Sequence, residues 1–318
     1  MNKMIDALNA QQNIALFAHI VPDGDALGSL FGFAHILKKL GKTVTVYVAG
    51  NVPKRLQFMA DLYDDTFYTD VPPEGTVHEV CLALDCGDFE RLGRYKPLYE
   101  KATVTFNIDH HISNPNYATH NLVMPKASST GEILYLLCEQ AGFELDEIAA
   151  SLLYGSIASD TGCFCHSNTS PDTHRYAARL MEYGADFALF NRKLFQTESK
   201  TALKARAYII DVMKQAFEGK VTYALVDDEA LFGMGATKED TEGLIDVLRS
   251  VDGTEVAFLL KTYEDSVKVS MRTATYVDAA KLLGALGGGG HVRAAGCTLH
   301  VSMEEAKNIV LNALEEWI

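Results

Sequence analysis

Long apolar runs are missing from this 318-residue sequence: no stretch approaches the ~18 consecutive apolar positions of a membrane-spanning helix, so no membrane partner is expected. The polar start, with Asp6 and the Asn9 to Asn13 segment, lacks the apolar core of a signal peptide. Cysteine is sparse, with six residues and no Cys-x-x-Cys pair, and several lie in apolar patterns where a free thiol acts as a small hydrophobe. A reduced, cytoplasmic setting is the expectation. Cys163 and Cys165 follow Asp160 closely but read as structural residues, not ligands. Positive charge is also short: 28 Lys and Arg against 42 Asp and Glu leave a formal net charge of −14. Broad binding of long nucleic acid, duplex included, draws on a basic surface and is therefore not expected. There is neither a Gly-x-Ser-x-Gly elbow nor a Walker loop, and no internal repeat or low-complexity segment.

What remains is an ordinary globular composition, 48% hydrophobic and 22% charged, at a length that favours two domains. The first half reads as strands over 14–19, 43–48, 80–85 and 103–108, and helices over 26–40, 129–141, 147–158 and 171–183. That alternation predicts an α/β fold, a mainly parallel sheet with flanking helices over residues 1–184. Periodicity fades after Gly184, which places a linker at 185–200. The second half reads as strands over 221–227, 255–262, 266–272 and 296–301, with helices over 238–250, 277–286 and 303–315. A smaller α/β domain over 201–318 follows, and a cleft between the two domains.

Metal-competent side chains stand at the carboxyl ends of the apolar elements. Ile14 to Ala18 runs into His19-Ile20-Val21-Pro22-Asp23-Gly24-Asp25; Val80 to Leu84 ends at Asp85; Thr103 to Ile108 ends at Asp109-His110-His111; the helix to Ala158 ends at Ser159-Asp160-Thr161-Gly162. In an open α/β sheet such endings converge on one crevice. Two imidazoles, His19 and His110, with four carboxylates, Asp23, Asp25, Asp85 and Asp160, suit a pair of divalent ions, Mn²⁺ first, with Mg²⁺ and Co²⁺ open. Phosphate ester hydrolysis is the chemistry such a pair favours, without a protein nucleophile. Each element alone has a plainer explanation: Asp23-Gly24 as a turn, Asp85 as an N-cap, Asp160-Thr161-Gly162 as a helix end. Their recurrence at four element ends is what favours a metal centre.

Far downstream, a strand pattern ends at Arg272, and Gly287-Gly288-Gly289-Gly290-His291 follows the apolar pattern Val277 to Leu286. Without Cβ atoms, the backbone N–H groups of Gly288, Gly289 and Gly290 can approach an anion, with Arg272 and His291 as further phosphate partners. A flexible cap for the preceding helix is the alternative.

Together these segments resemble the four motifs of the DHH phosphoesterases, and Gly287 to Gly296 (GGGGHVRAAG) resembles the glycine-rich signature of their DHH-associated C-terminal domain. The resemblance spans nearly the whole chain and is greatest to the bacterial nanoRNase/pAp phosphatase branch. It implies His19, Asp23 and Asp85 on one metal and Asp25, Asp85, His110 and Asp160 on the other, with Asp85 bridging. It further implies that Asp109 supports the site from behind, that His111 approaches the substrate phosphate, and that Arg272 and His291 bind it from the C-terminal domain.

The function expected on this basis is metal-dependent hydrolysis of very short oligoribonucleotides and linear dinucleotides such as pApA, with removal of the 3′-phosphate from 3′-phosphoadenosine 5′-phosphate (pAp). A cyclic-di-AMP phosphodiesterase, a single-strand exonuclease, an inorganic pyrophosphatase and a non-catalytic dinucleotide sensor stand as alternatives. A homodimer is compatible with these features and not required by them.

Overall fold

The computed structural model describes residues 1–318 apart from Val71, Pro73, Glu74, Lys238, Glu242 and Glu264. The chain divides into two compact units, Met1–Thr197 and Glu198–Ile318. Among the described residues, no helix is long and apolar enough to cross a membrane.

The first unit holds strands β1 (Asn13–Phe17), β2 (Thr43–Tyr47), β3 (Val80–Leu84), β4 (Val104–Asp109) and β5 (His120–Val123), in the order β2-β1-β3-β4-β5 and all parallel. Helices α1 (Asn2–Asn9), α2 (Gly24–Lys39), α3 (Gln57–Tyr63), α4 (Lys96–Glu100), α5 (Thr130–Ala141), α6 (Glu147–Asp160), α7 (Pro171–Glu182) and α8 (Phe187–Phe195) complete it. The inner strands β1 and β3 are apolar almost throughout because both faces are covered. In β1, Ile14 and Leu16 enter one core with Leu27, Leu30 and Ile133, while Ala15 and Phe17 enter a second with Tyr47, Tyr95 and Tyr99. Strand order reverses between β1 and β3, and loops leaving neighbouring strands at such a point diverge and open a crevice.

Glycine spacing brings α2 against α6. Gly24, Gly28 and Gly32 recur every fourth residue on α2, and a Cβ at Gly28 would strike the Leu152 carbonyl and Ser156, while one at Gly24 would strike Ser159. A Cβ at Gly32 would press on the Leu152 and Leu153 side chains at 3.3 Å. The close antiparallel approach carries Asp25, in the first turn of α2, to Asp160, the last residue of α6.

The second unit contains α9 (Lys200–Val212), β6 (Lys214–Ala216), β7 (Val221–Val226), α10 (Asp228–Gly233), α11 (Leu244–Arg249), β8 (Val256–Tyr263), β9 (Ser266–Thr273), α12 (Ala279–Gly284), β10 (Gly289–His291), β11 (Ala294–Leu299) and α13 (Met303–Leu314). Its sheet runs β10-β11-β9-β8-β7-β6, with β7 and β8 parallel and the other pairings antiparallel.

The structure refines the sequence reading at several points. The stretch expected as a linker, 185–200, contains α8, anchored by the fully buried Phe190, whose ring meets Phe58 edge-on at 5.0 Å and lies over Gly155. The units divide between Thr197 and Glu198, inside that stretch. The helix expected over 238–250 begins at Lys238 and includes Glu242, both outside the described residues; its described part is a short turn at Glu239–Thr241 and α11. Finally, Gly289 and Gly290 of the glycine run form part of a strand, β10, so the alternative of a flexible cap does not describe them.

Candidate metal centre

All the first-unit residues singled out by pattern converge at the carboxyl ends of β1, β3 and β4 and at the facing helix ends. His19, two residues past β1, is buried, and its Nε2 lies 3.8 Å from Asp23 Oδ2 and 3.5 Å from Asp85 Oδ2. Both separations exceed a hydrogen bond, and this buried nitrogen has no hydrogen-bond partner among the described residues. Asp85 follows β3 at φ 57°, a left-handed conformation uncommon for a residue with a side chain and tolerated where function demands it. Its other oxygen, Oδ1, accepts from Thr130 Oγ1 at 3.0 Å and stands 3.6 Å from His110 Nε2. His110 Nε2 also lies 3.6 Å from Asp25 Oδ2 and 3.3 Å from Asp160 Oδ2.

Two donor sets therefore share one carboxylate: His19, Asp23 and Asp85 in one, Asp25, Asp85, His110 and Asp160 in the other. Ligands held about 2.1 Å from an ion and roughly at right angles are separated by about 3 Å, near the spacing here. An unpartnered buried nitrogen among carboxylates fits a cation better than it fits a protein hydrogen bond. A third grouping, Asp85, His110 and His111, also brings ligand atoms together, but His111 already commits Nδ1 to Asp109 Oδ1 at 2.7 Å.

The electrostatics agree with a site built for positive charge. Burial works against a charged His19 ring, yet the carboxylates of Asp23 and Asp85 outweigh it and raise its pKa to about 9. Burial likewise disfavours the Asp23 carboxylate, and the facing His19 carries it down to about 2. Burial, then the charges of Asp85 and Asp23, push Asp160 up to about 8. Asp25 is pushed well above the usual carboxylate range by burial and by Asp85 and Asp160. Opposing that rise, Asp25 accepts from Thr130 N–H at 2.8 Å, Gly131 N–H at 3.2 Å, the Ser29 hydroxyl at 3.1 Å and the Ser156 hydroxyl. The start of α5 thus aims its free N–H groups at Asp25. Cations would relieve this crowding of carboxylates.

Asp109, at the end of β4, does not join either donor set. It is fully buried, accepts from Asn114 Nδ2 at 2.6 Å and fixes the His111 ring, whose pKa it raises by that hydrogen bond. Asn114 also donates to Asn107 Oδ1 at 2.7 Å, completing a buried polar support. Gly87 makes room for the imidazole: a Cβ there would lie 2.8 Å from the His111 ring.

In the second unit, register aligns Arg272 on β9, Ala294 on β11 and His291 on β10 across the sheet. Directly paired residues project from one face, so Arg272 and His291 share it, roughly 10 Å apart at ~4.8 Å per strand, with the small Ala294 between. The glycines divide by role. Gly287 ends α12 in a left-handed conformation, φ 80°. A Cβ at Gly288 would strike Gly296 and Cys297, and one at Gly290, φ 146°, would strike Ala294 and Ala295. Only Gly289 of these three strand-forming or flanking positions, 288–290, faces open space.

Known proteins match this arrangement across its length. The DHH family N-terminal domain matches residues 13–157 and the DHHA1 domain residues 218–318. A Thermus thermophilus protein named bifunctional oligoribonuclease and PAP phosphatase NrnA is 32% identical over 99% of this chain and 94% of its own. The chain belongs to the DHH family. An exopolyphosphatase-related protein from Bacteroides fragilis shares the fold at a TM-score of 0.90, with 23% identity, covering 100% of this chain and 97% of that one. RecJ from Thermus thermophilus, solved in complex with Mn²⁺, aligns at a TM-score of 0.55 with 14% identity, covering 98% of this chain and 54% of that one.

Several residues around this DHH centre escaped the sequence reading. Thr130 contacts both Asp25 and Asp85, Ser156 reaches Asp25 from α6, and Arg91 places a guanidinium nitrogen 2.9 Å from His19 Nδ1. Thr130 and Ser156 sit in helices far along the chain, where nothing local marks them. Arg91 lies in the loop leaving β3, six positions after Asp85, and that location was the available signal.

Proposed function

We propose that this DHH-family chain is a metal-dependent phosphohydrolase that degrades very short oligoribonucleotides, pApA among them, to mononucleotides and converts pAp to AMP. The observation that carries the reading is the Asp85 carboxylate, which turns Oδ2 toward His19 and Oδ1 toward His110 and so serves two donor sets at once. The substrate class is supported by the Thermus thermophilus relative, whose name gives both activities.

His19, Asp23 and Asp85 would hold one cation and Asp25, Asp85, His110 and Asp160 the other, with Mn²⁺ favoured by the mixed imidazole and carboxylate set and Mg²⁺ or Co²⁺ as alternatives. Two divalent ions held there supply Lewis acidity to the phosphoryl oxygens and lower the pKa of attacking water. The chain's own residues do the rest. Asp109 orients His111 and raises its pKa through their hydrogen bond, which favours a ring Nε2–H able to contact a phosphate oxygen and give a proton to the leaving oxygen. Arg272 and His291, with the Gly288 to Gly290 ribbon, bind the non-reacting phosphate of the substrate. The acidic remainder of the surface leaves long strands and duplexes without compensating attraction.

Initial rates on pyrophosphate, pAp, cyclic dinucleotides and a ribodinucleotide, with and without Mn²⁺, test this. Mn²⁺-dependent turnover of pAp and the dinucleotide is expected; turnover of pyrophosphate alone would contradict it.

A further inference from the structure

We propose that Arg91, held beside His19, is a phosphate-binding residue of the centre. The proposal rests on the phosphohydrolase reading above. Arg91 lies in a short 3-10 helix, Phe89–Tyr95, pinned to the loop after β1 because Ile20 N–H donates to the Arg91 carbonyl at 2.8 Å. Gly93 in the same segment, φ 55°, leaves room for the Ile20 side chain, and Gly87 before it packs under His111. The segment therefore runs between His19 and His111.

The half-buried Arg91 guanidinium makes one side-chain hydrogen bond among the described residues, to His19 Nδ1 at 2.9 Å, and no ion pair. Five donors with one partner is a low occupancy for a group that is always charged. His19 Nδ1 also lies 2.8 Å from the Ile20 carbonyl. The Arg91 charge also acts on Asp23 and His111, so the guanidinium stands at the metal-bearing end of the sheet with donors left over. A substrate phosphate held at the metal centre is an anion within this charge's reach, and the planar fork of arginine can bind it through two donors. Arg91 would be a further cationic phosphate contact, on the metal-bearing unit itself, in addition to Arg272 and His291.

AMP binding by calorimetry to the Mn²⁺-loaded full chain, alongside Mn²⁺ binding and pAp turnover, tests the idea. For Arg91→Gln, AMP affinity should fall about tenfold or more, with kcat on pAp reduced and Mn²⁺ affinity retained or increased. Arg91→Lys keeps the charge but loses the fork and should fall between the two. AMP affinity equal to wild type in Arg91→Gln overturns the proposal. So does an AMP defect that vanishes once Mn²⁺ is saturating, which would make Arg91 a prop for His19. If Arg91→Gln does not fold, Arg91→Lys decides, and unchanged AMP affinity there overturns the assignment. A wild-type chain that takes up Mn²⁺ but neither binds AMP nor hydrolyses pAp overturns the phosphohydrolase reading together with this one.

Discussion

Asp85 and His19 face each other across the switch point of the parallel sheet, Oδ2 3.5 Å from Nε2, and the buried imidazole nitrogen has no hydrogen-bond partner among the described residues. Because the second Asp85 oxygen faces His110, one residue links both donor sets. Asp85→Asn should therefore reduce bound Mn²⁺ below two per chain and lower kcat on pAp by at least about 100-fold, with little change in fold. Metal analysis and circular dichroism check this. Full metal occupancy with wild-type turnover would remove Asp85 from the bridging role.

Arg272 and His291 stand apart from the metal ligands on a separate sheet. Arg272→Ala and His291→Ala should each damage pAp and dinucleotide turnover more than hydrolysis of a small activated phosphodiester, because lost remote binding energy no longer positions the scissile phosphate. Parallel kinetics on both substrates provide the comparison. Equal losses on the two would place these residues in the chemical step or in folding.

The glycine ribbon separates packing from binding. Gly290→Ala should destabilise the second unit by about 1–3 kcal/mol, since its Cβ would meet Ala294 and Ala295 at φ 146°. Gly289→Ala has open space and should melt close to wild type while weakening AMP binding. Thermal melts and calorimetry on the two variants distinguish the roles, and matching melting losses would contradict the division.

The sign of the pH dependence follows from the crowded acids. Asp160, raised to about 8, contributes stability that is present below its ordinary carboxylate range and lost as pH rises through 8. His19, raised to about 9, contributes stability present below the ordinary imidazole pKa and lost as pH rises through 9. Metal-free protein should thus lose stability from about pH 4 to 9, Asp160 acting first and His19 above about pH 6. Mn²⁺ competes with those protons, so its stabilising shift in Tm should be larger at pH 8 than at pH 6. An equal shift at both values would show that these groups are not the ligands.

Much of the centre was legible because each ligand ends an apolar run, and parallel strands buried on both faces write such runs plainly. His19, Asp85 and His110 were visible for that reason. The support behind them was not. Ser156 and Thr130 reach Asp25 from helices more than a hundred residues along the chain, through packing that only the facing surfaces specify. The repeat of Gly24, Gly28 and Gly32 announced a close helix contact without naming α6 as its partner. Helix α8 inside the expected linker left no signal because it buries one large residue, Phe190, too little apolar pattern to announce a helix. The half-buried β5 left a similarly faint trace. A run of glycines, finally, looks the same whether it caps a helix, packs against a strand or meets a ligand, and tertiary contact separates Gly287, Gly290 and Gly289 among these.

Substrate length tests the central claim most directly. Initial rates on an RNA ladder from dinucleotide to 24-mer, at fixed salt and Mn²⁺, should be greatest at about two to five nucleotides and fall beyond, because an acidic exterior gives longer strands no further attraction. A rate that climbs with length, or processive degradation of the 24-mer, would contradict the assignment to short oligoribonucleotides and favour a single-strand exonuclease.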